Sequence, residues 1–181
     1  MPLESEYRIE PLSPSHDRTA FRSGVLELDE YLHHQAGQDA RRKIAAPFVL
    51  VDVHGSILGY YTLSAYSIRL DALPNVIGKR LPRSPLIPAT LLGRLTVSAA
   101  CRGQRLKRFL LMDALHRSWR NTTEVASVGV VHQRYGIPLP PDLNRLEETI
   151  QSQIAEAAIC IANRDGPVRC QSRLRRIAQL L

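Results

Sequence analysis

Between Leu91 and Leu115 the chain reads LLGRLTVSAACRGQRLKRFLLMDAL, and this stretch limits the possible folds more than any other. An apolar strand, Ala89 to Val97, runs into a short polar loop. An amphipathic helix over Arg105 to Arg120 follows at once, with Leu106, Phe109, Leu110, Ala114 and Leu115 spaced to face inward. A further apolar run, Val125 to Val131, completes a strand–helix–strand unit, which should form a right-handed crossover. The junction directs backbone N–H groups and a helix N-terminus at one place, a geometry suited to a diphosphate. Arg105 and Lys107 stand at the two positions where such a cradle most wants glycine.

The remaining chain up to His132 supplies a sheet and one more helix. Tyr7 to Leu12 reads as a short strand stopped by prolines. Gly24 to Lys43 has helical spacing, with Val25, Leu28, Leu32 and Ala36 on one face and His33, His34, Gln38, Arg41, Arg42 and Lys43 on the other. Pro47 to Val53 and Ile57 to Ile68 form a hairpin around His54-Gly55. A proline-rich loop from Arg69 to Pro88 leads to the central strand. Strands mixed with helices in this order predict an α/β (α+β) domain with helices on both faces of a mixed sheet. We place the core at residues 1–132. After His132 the character changes, so 133–181 is set apart as a divergent C-terminal segment. It is expected to be helical over Leu143 to Ile161.

Charge narrows the partners. The net charge is +7, the isoelectric point is near 9.8, and arginine far outnumbers lysine. Arginine forks match phosphates bidentately and stack on bases, so a nucleotide or nucleic-acid partner is favoured over a neutral metabolite. Cys101, Cys160 and Cys170 are widely spaced, with no CxxC or Cys/His ligand pattern, so neither zinc nor a disulfide framework is indicated. His33 and His34, adjacent on a helix, point about 100° apart and do not suit a shared metal. Ser127 lacks the His and Asp partners of a hydrolase triad. The N-terminus has no apolar signal-peptide core, and no run approaches the ~20 residues of a membrane span, so a cytoplasmic protein is expected.

LGRLTV followed by CRGQRLKRFLLMDAL resembles motif A of the Gcn5-related N-acetyltransferases (GNAT), whose loop pattern is Arg/Gln-x-x-Gly-x-Gly/Ala. Arg102 matches the first position, and Gly103 and Gln104 are common fillers. The resemblance implies a GNAT fold: a mixed, mostly antiparallel sheet with helices on both faces and a central β-α-β motif for acetyl-CoA. It further implies that loop amides from Arg102, Gly103, Gln104, Arg105, Leu106 and Lys107 hold the pyrophosphate. Leu95, Thr96 and Val97 would pair with the pantetheine arm. Side chains on Arg105 and Lys107 should crowd that cradle while their charges attract phosphate.

FRSGVLELDEYLHHQA (Phe21 to Ala36), GYYTLSA (Gly59 to Ala65) and Leu92-Gly93-Arg94-Leu95 are similar to the toxin-type acetyltransferases within this family. That likeness implies acetyl-CoA as cosubstrate and the α-amine of aminoacyl-tRNA as acceptor, with translation blocked as the outcome. It also implies a ribbon-helix-helix antitoxin as partner, and a homodimer as a possible assembly. Arg41, Arg42, Lys43, Arg80, Arg83 and Arg94 are the candidate RNA contacts. The family's Ala-x-x-Phe-Tyr helix is missing after His132, which leaves Tyr135 as the candidate proton donor to the leaving thiolate. Two other readings stay open: a degenerate GNAT-fold protein that binds antitoxin or RNA without catalysis, and an acetyltransferase of another amine.

Overall fold

The computed structural model describes residues 7–72, 79, 83–122, 124–127 and 129–132. Five strands form one sheet in the order β1 (Tyr7–Pro11), β2 (Ala46–Asp52), β3 (Ile57–Arg69), β4 (Leu86–Val97) and β5 (Val130–His132). The chain divides into two compact units. Among the described residues, one comprises those up to Ser64 with Leu92–Ala114 and His132. The other comprises those of Ala65–Leu91 and Leu115–Val131.

In the first unit β1 pairs antiparallel with β2, and β2 with β3. The turn at Gly55 (φ +82°) closes the β2–β3 hairpin, and Asp52 Oδ1 accepts the N–H groups of His54 and Ser56. The Arg94 N–H donates to Thr62 Oγ1 (3.1 Å) and the Ser98 N–H to the Leu58 carbonyl (2.7 Å). These contacts ascend β4 while descending β3, so the two strands run antiparallel.

Adjacent strand residues face opposite sides of a sheet, and β3 uses this to bind a helix on each. Tyr60 donates its hydroxyl to the Leu28 carbonyl (2.7 Å), while Tyr61 donates to Asp113 Oδ2 (2.5 Å). On the Tyr60 side lies one continuous helical run: α1 (Leu26–Glu30), a π-turn (Tyr31–Gln35) and α2 (Ala36–Arg42). Its core comprises Phe21, Tyr31, Leu32 and Ala36 against Val49, Val51, Ile57 and Tyr60. Of the expected inward residues Val25, Leu28, Leu32 and Ala36, the last three are buried, as is Tyr31, while Val25 is half-buried because it precedes the helix in extended backbone. Spacing alone did not show the π-turn, in which Ala36 N–H reaches back five residues to the Tyr31 carbonyl.

On the Tyr61 side lies α3 (Leu106–Asn121), one residue later than the spacing suggests. Leu106, Leu110, Ala114 and Leu115 are buried as expected, and Leu111 joins them. Phe109 departs from expectation: it is 37% exposed, because the buried stripe runs through 106, 110, 111, 114 and 115 instead.

In the second unit β4 begins at Leu86 rather than Ala89, so Pro88 lies within a strand. Thr90 donates its N–H to the Gly129 carbonyl (2.9 Å), and Pro88, two residues earlier, lacks the N–H that would face the same edge. The strand foreseen from Val125 is reduced to Val130–His132. Val125 instead closes the end of α3 by donating to the Asn121 carbonyl (2.8 Å). Ser127 Oγ pairs with Thr90 Oγ1 (3.0 Å) and donates to the Gly129 carbonyl, a strand-end role. The segment 133–181 lies outside the described residues.

Candidate diphosphate loop

The loop after β4 is built from two short turns. Ala99–Cys101 forms a 3-10 turn in which Cys101 N–H bonds the Ser98 carbonyl (2.9 Å), and Gln104 N–H then bonds the Cys101 carbonyl (3.3 Å). Two residues have positive φ: Gly103 at +85° and Arg105 at +58°. The Arg105 carbonyl accepts the Phe109 N–H (3.2 Å), so Arg105 is the residue from which α3 starts. The amides of Leu106, Lys107 and Arg108 are therefore the first-turn donors that leave the helix N-terminally. No acidic residue lies in that first turn, so the positive end of the helix dipole is not offset from within the helix.

Arg105 answers the glycine problem in backbone terms. A glycine in such a loop is needed for its access to φ > 0. Arg105 adopts that conformation, at a strain of roughly 1–2 kcal/mol for an L-residue. Its side chain is exposed, as are those of Arg102, Gln104 and Lys107, while Leu106 is buried as the apolar anchor. A Cβ on Gly103 would meet nothing within 4 Å.

The strand leading in is held close to β3. Thr96 is buried, with Leu95 and Val97 half-buried on either side. A Cβ on Gly59 would come within 2.8 Å of both the Thr96 carbonyl oxygen and Leu110 Cδ1. Gly59 thus lets β3, β4 and α3 meet at the base of the loop.

A brace from the N-terminal region fixes the loop, and the spacing of residues did not disclose it. Ala99 N–H donates to the Arg22 carbonyl (2.8 Å), and Arg102 Nη2 donates to the Ser23 carbonyl (2.9 Å). Ser23 donates both its N–H and its hydroxyl to Asp29 Oδ1, each at 2.7 Å. Ser23 and Asp29 are both buried. Gly24 (φ +85°) takes a backbone conformation that strains an L-residue, and a Cβ there would lie 2.8 Å from Arg102 Nη2 and displace it from the Ser23 carbonyl. The RSG and LD of the Phe21 to Ala36 segment are thus the parts of one clamp on the loop.

The expected RNA contacts separate into different environments. Arg41, Arg42 and Lys43 are exposed at the end of α2, where Lys43 takes the left-handed C-terminal position (φ +60°). Arg83 is exposed in the second unit. Arg94 is half-buried, with its guanidinium carbon 3.5 Å from the centre of the Tyr31 ring, so it ties β4 to the π-turn. Arg80 and Tyr135 lie outside the described residues. Among the described residues no cluster of side chains suits a metal ion, and no helix is long and apolar enough to cross a membrane.

No protein-family model matches the chain. It is similar to a probable toxin TacT of Sinorhizobium fredii, with 29% identity over 111 residues, which is 60% of this chain and 61% of that relative's length. Among solved structures it resembles AtaT complexed with acetyl-methionyl-tRNAfMet. The TM-score is 0.68 at 25% identity, covering 80% of this chain and 85% of that one. The fold is that of the toxin-type Gcn5-related N-acetyltransferases. A mutant of KacT shares it at a TM-score of 0.69 and 23% identity, over 80% of this chain and 85% of that chain. So does AtaTR bound with AcCoA, at 0.64 and 24%, over 80% of this chain and 84% of that one. Within this GNAT fold the β4–loop–α3 unit is the element the sequence resemblance singles out, and its backbone keeps two left-handed residues ahead of the helix.

Proposed function

We propose that the protein is an acetyl-CoA-dependent N-acetyltransferase that modifies the α-amine of aminoacyl-tRNA, blocks translation, and is neutralised by a ribbon-helix-helix antitoxin. The observation that carries this reading is the diphosphate loop: positive φ at Gly103 and Arg105, followed directly by the N-terminus of a 16-residue helix. The likeness to AtaT complexed with acetyl-methionyl-tRNAfMet supports the choice of acceptor.

First-turn amides of α3 and the loop amides from Arg102 to Lys107 would hold the diphosphate, with Arg105, Lys107 and Arg108 adding charge. Leu95, Thr96 and Val97 would align the pantetheine arm. Acetyl-CoA supplies the acetyl group as a thioester. The acceptor nitrogen forms a bond to the thioester carbonyl carbon, the C–S bond breaks, and the nitrogen loses a proton. A backbone N–H in the Leu95–Val97 stretch would polarise the carbonyl oxygen. An α-amine has a pKa of about 7.7–8.0, so a sizeable fraction is neutral at cellular pH and a strong base is dispensable. Tyr135 is assigned as proton donor to the departing thiolate, a contribution of about 10²-fold or more.

The test is calorimetry with acetyl-CoA, followed by transfer of labelled acetyl to charged tRNA. Micromolar binding and label on the aminoacyl group are expected. Absence of heat at millimolar acetyl-CoA, together with no transfer, would leave a binding protein on a transferase fold. Expression with and without a neighbouring ribbon-helix-helix gene checks the toxin assignment: growth arrest is expected only without it.

A further inference from the structure

A groove of about 380 Å³ opens between the β1–α1 connection and the π-turn. Arg18 and Arg22 line it from the connection, and His33 and His34 line it from the helix. All lie in the first unit, and the transferase chemistry outlined above uses none of them. The π-turn that carries both histidines spends an extra residue within one turn, and such turns recur at functional sites.

The arginines are held in place without being neutralised, while His34 faces Glu30 at 3.8 Å. Arg22 Nη1 donates to the Thr19 and Phe21 carbonyls, each at 2.7 Å, and His33 Nε2 bonds the same Phe21 carbonyl (3.1 Å). Arg18 Nη1 reaches the Leu32 carbonyl (3.5 Å). A guanidinium has five N–H donors in a rigid plane, so anchoring one nitrogen on carbonyls orients the fork without consuming it. The one acid in the wall is Asp17, and its carboxylate accepts both the N–H and the hydroxyl of Thr19.

A second feature points to an anion. Arg18 Nη1 and Arg41 Nη1 lie 3.0 and 3.6 Å from the position a Cβ on Gly37 would take, so two guanidinium groups converge over this glycine. Among the described residues no carboxylate lies within ion-pairing distance of Arg18, Arg22 or Arg41. Like charges brought together repel unless an anion is shared between them. The groove also adjoins the diphosphate loop, because the Arg22 carbonyl accepts the Ala99 N–H.

We propose that this groove seats a backbone phosphate of single-stranded RNA, at the acceptor end of the tRNA. Arg18 and Arg22 act as the fork, Arg41 adds charge beside Arg18 over Gly37, and His33 and His34 form the rim. The inference rests on the RNA substrate proposed above and assigns it a location. Carbonyl-anchored arginines recognise phosphate rather than base edges, so binding should be tolerant of sequence and sensitive to salt.

The experiment compares the wild-type chain with an Arg18→Gln, Arg41→Gln double variant, the two arginines that converge over Gly37, using uncharged tRNA and a short RNA ending in CCA as fluorescent probes. The expected result is about tenfold weaker RNA binding, and a salt dependence of log Kd shallower by about 1–2. Acetyl-CoA affinity, measured by calorimetry, should stay within twofold. RNA affinity unchanged in the variant would overturn the proposal. So would a loss confined to acetyl-CoA, which would assign the groove to a cofactor phosphate. Should the double variant not fold, His34→Glu decides, because that side chain is exposed and makes no contact with a core carbonyl: weaker RNA binding supports the groove, and unchanged binding overturns it. RNA binding that weakens in the variant, with no acetyl transfer by the wild-type chain, sinks the enzymatic reading and leaves the groove standing. Transfer that survives with RNA binding unaltered does the reverse.

Discussion

Arg105 carries the most informative single backbone angle in the protein. A left-handed arginine at the mouth of a helix is strained, and the strain is local, because the side chain is exposed and packs against no core residue. Arg105→Gly should raise stability by about 0.5–1 kcal/mol, the relief being partly offset by greater freedom in the unfolded chain. Thermal denaturation measures this. Equal or lower stability would mean that the guanidinium contributes more than the backbone loses. Gly59 presents the opposite case. Gly59→Ala places a Cβ against a backbone oxygen that cannot rotate away, so a loss of about 2–3 kcal/mol in urea denaturation is expected. The preference for glycine at 105 was legible in the sequence and is met by a residue that is not glycine, whereas the requirement at Gly59 was hidden, because it depends on a neighbour 37 positions away in the chain (Thr96 against Gly59).

At the level of elements, the N-terminal clamp and the diphosphate loop form one mechanical unit. Asp29 holds Ser23, Ser23 accepts Arg102, and Arg22 accepts Ala99. Asp29→Ala strands the buried N–H of Ser23 and leaves its hydroxyl only the longer bond to the Val25 carbonyl (3.3 Å), which should cost about 1–3 kcal/mol. Because the clamp positions the loop, the same variant should also weaken acetyl-CoA binding. Calorimetry at a temperature where the variant remains folded separates the two effects, and full affinity there would limit Asp29 to stability. Tyr61 joins the sheet to α3 through Asp113, which is half-buried and reachable by water. Tyr61→Phe should therefore cost only about 1 kcal/mol by denaturant titration.

Across the whole molecule, electrostatics set the pH response and the partners. At the sheet edge, Glu10 lies between Arg8 and His16. Hydrogen bonds from Arg8 first and His16 second hold its carboxyl below the ordinary value of 4.5. Ser13 N–H donates to His16 Nδ1, so Nε2 carries the proton that meets Glu10. A carboxyl whose folded pKa is depressed stabilises the fold above its unfolded pKa, and that contribution disappears as pH falls through the folded value. Glu10→Gln should therefore be less stable than wild type at pH 7, and the difference should narrow as pH falls below 4.5 and through the folded value. Denaturant midpoints at pH 7 and pH 3.5 test the sign. The net charge of +7 acts over longer range, drawing polyanions toward the groove and loop at low salt.

The elements and their order were legible because each turns on local pattern: period-two and period-3.6 hydrophobicity, a Gly turn, and a polar loop between strand and helix. From these the sequence by itself determined a mixed sheet, a helix before β2, and a helix after β4 that starts within one residue of its actual position. Its family resemblance likewise singled out the β4–α3 loop as the candidate site. Only tertiary structure decided which basic residues stand together. Arg94 stacks on Tyr31, whereas Arg18, Arg22, His33 and His34 line one groove although they lie on a loop and a helix, and Arg41 meets Arg18 over Gly37. The physical reason is range. Backbone periodicity is written in near neighbours, whereas an anion site depends on packing that brings distant side chains to one point and on carbonyls that hold them there.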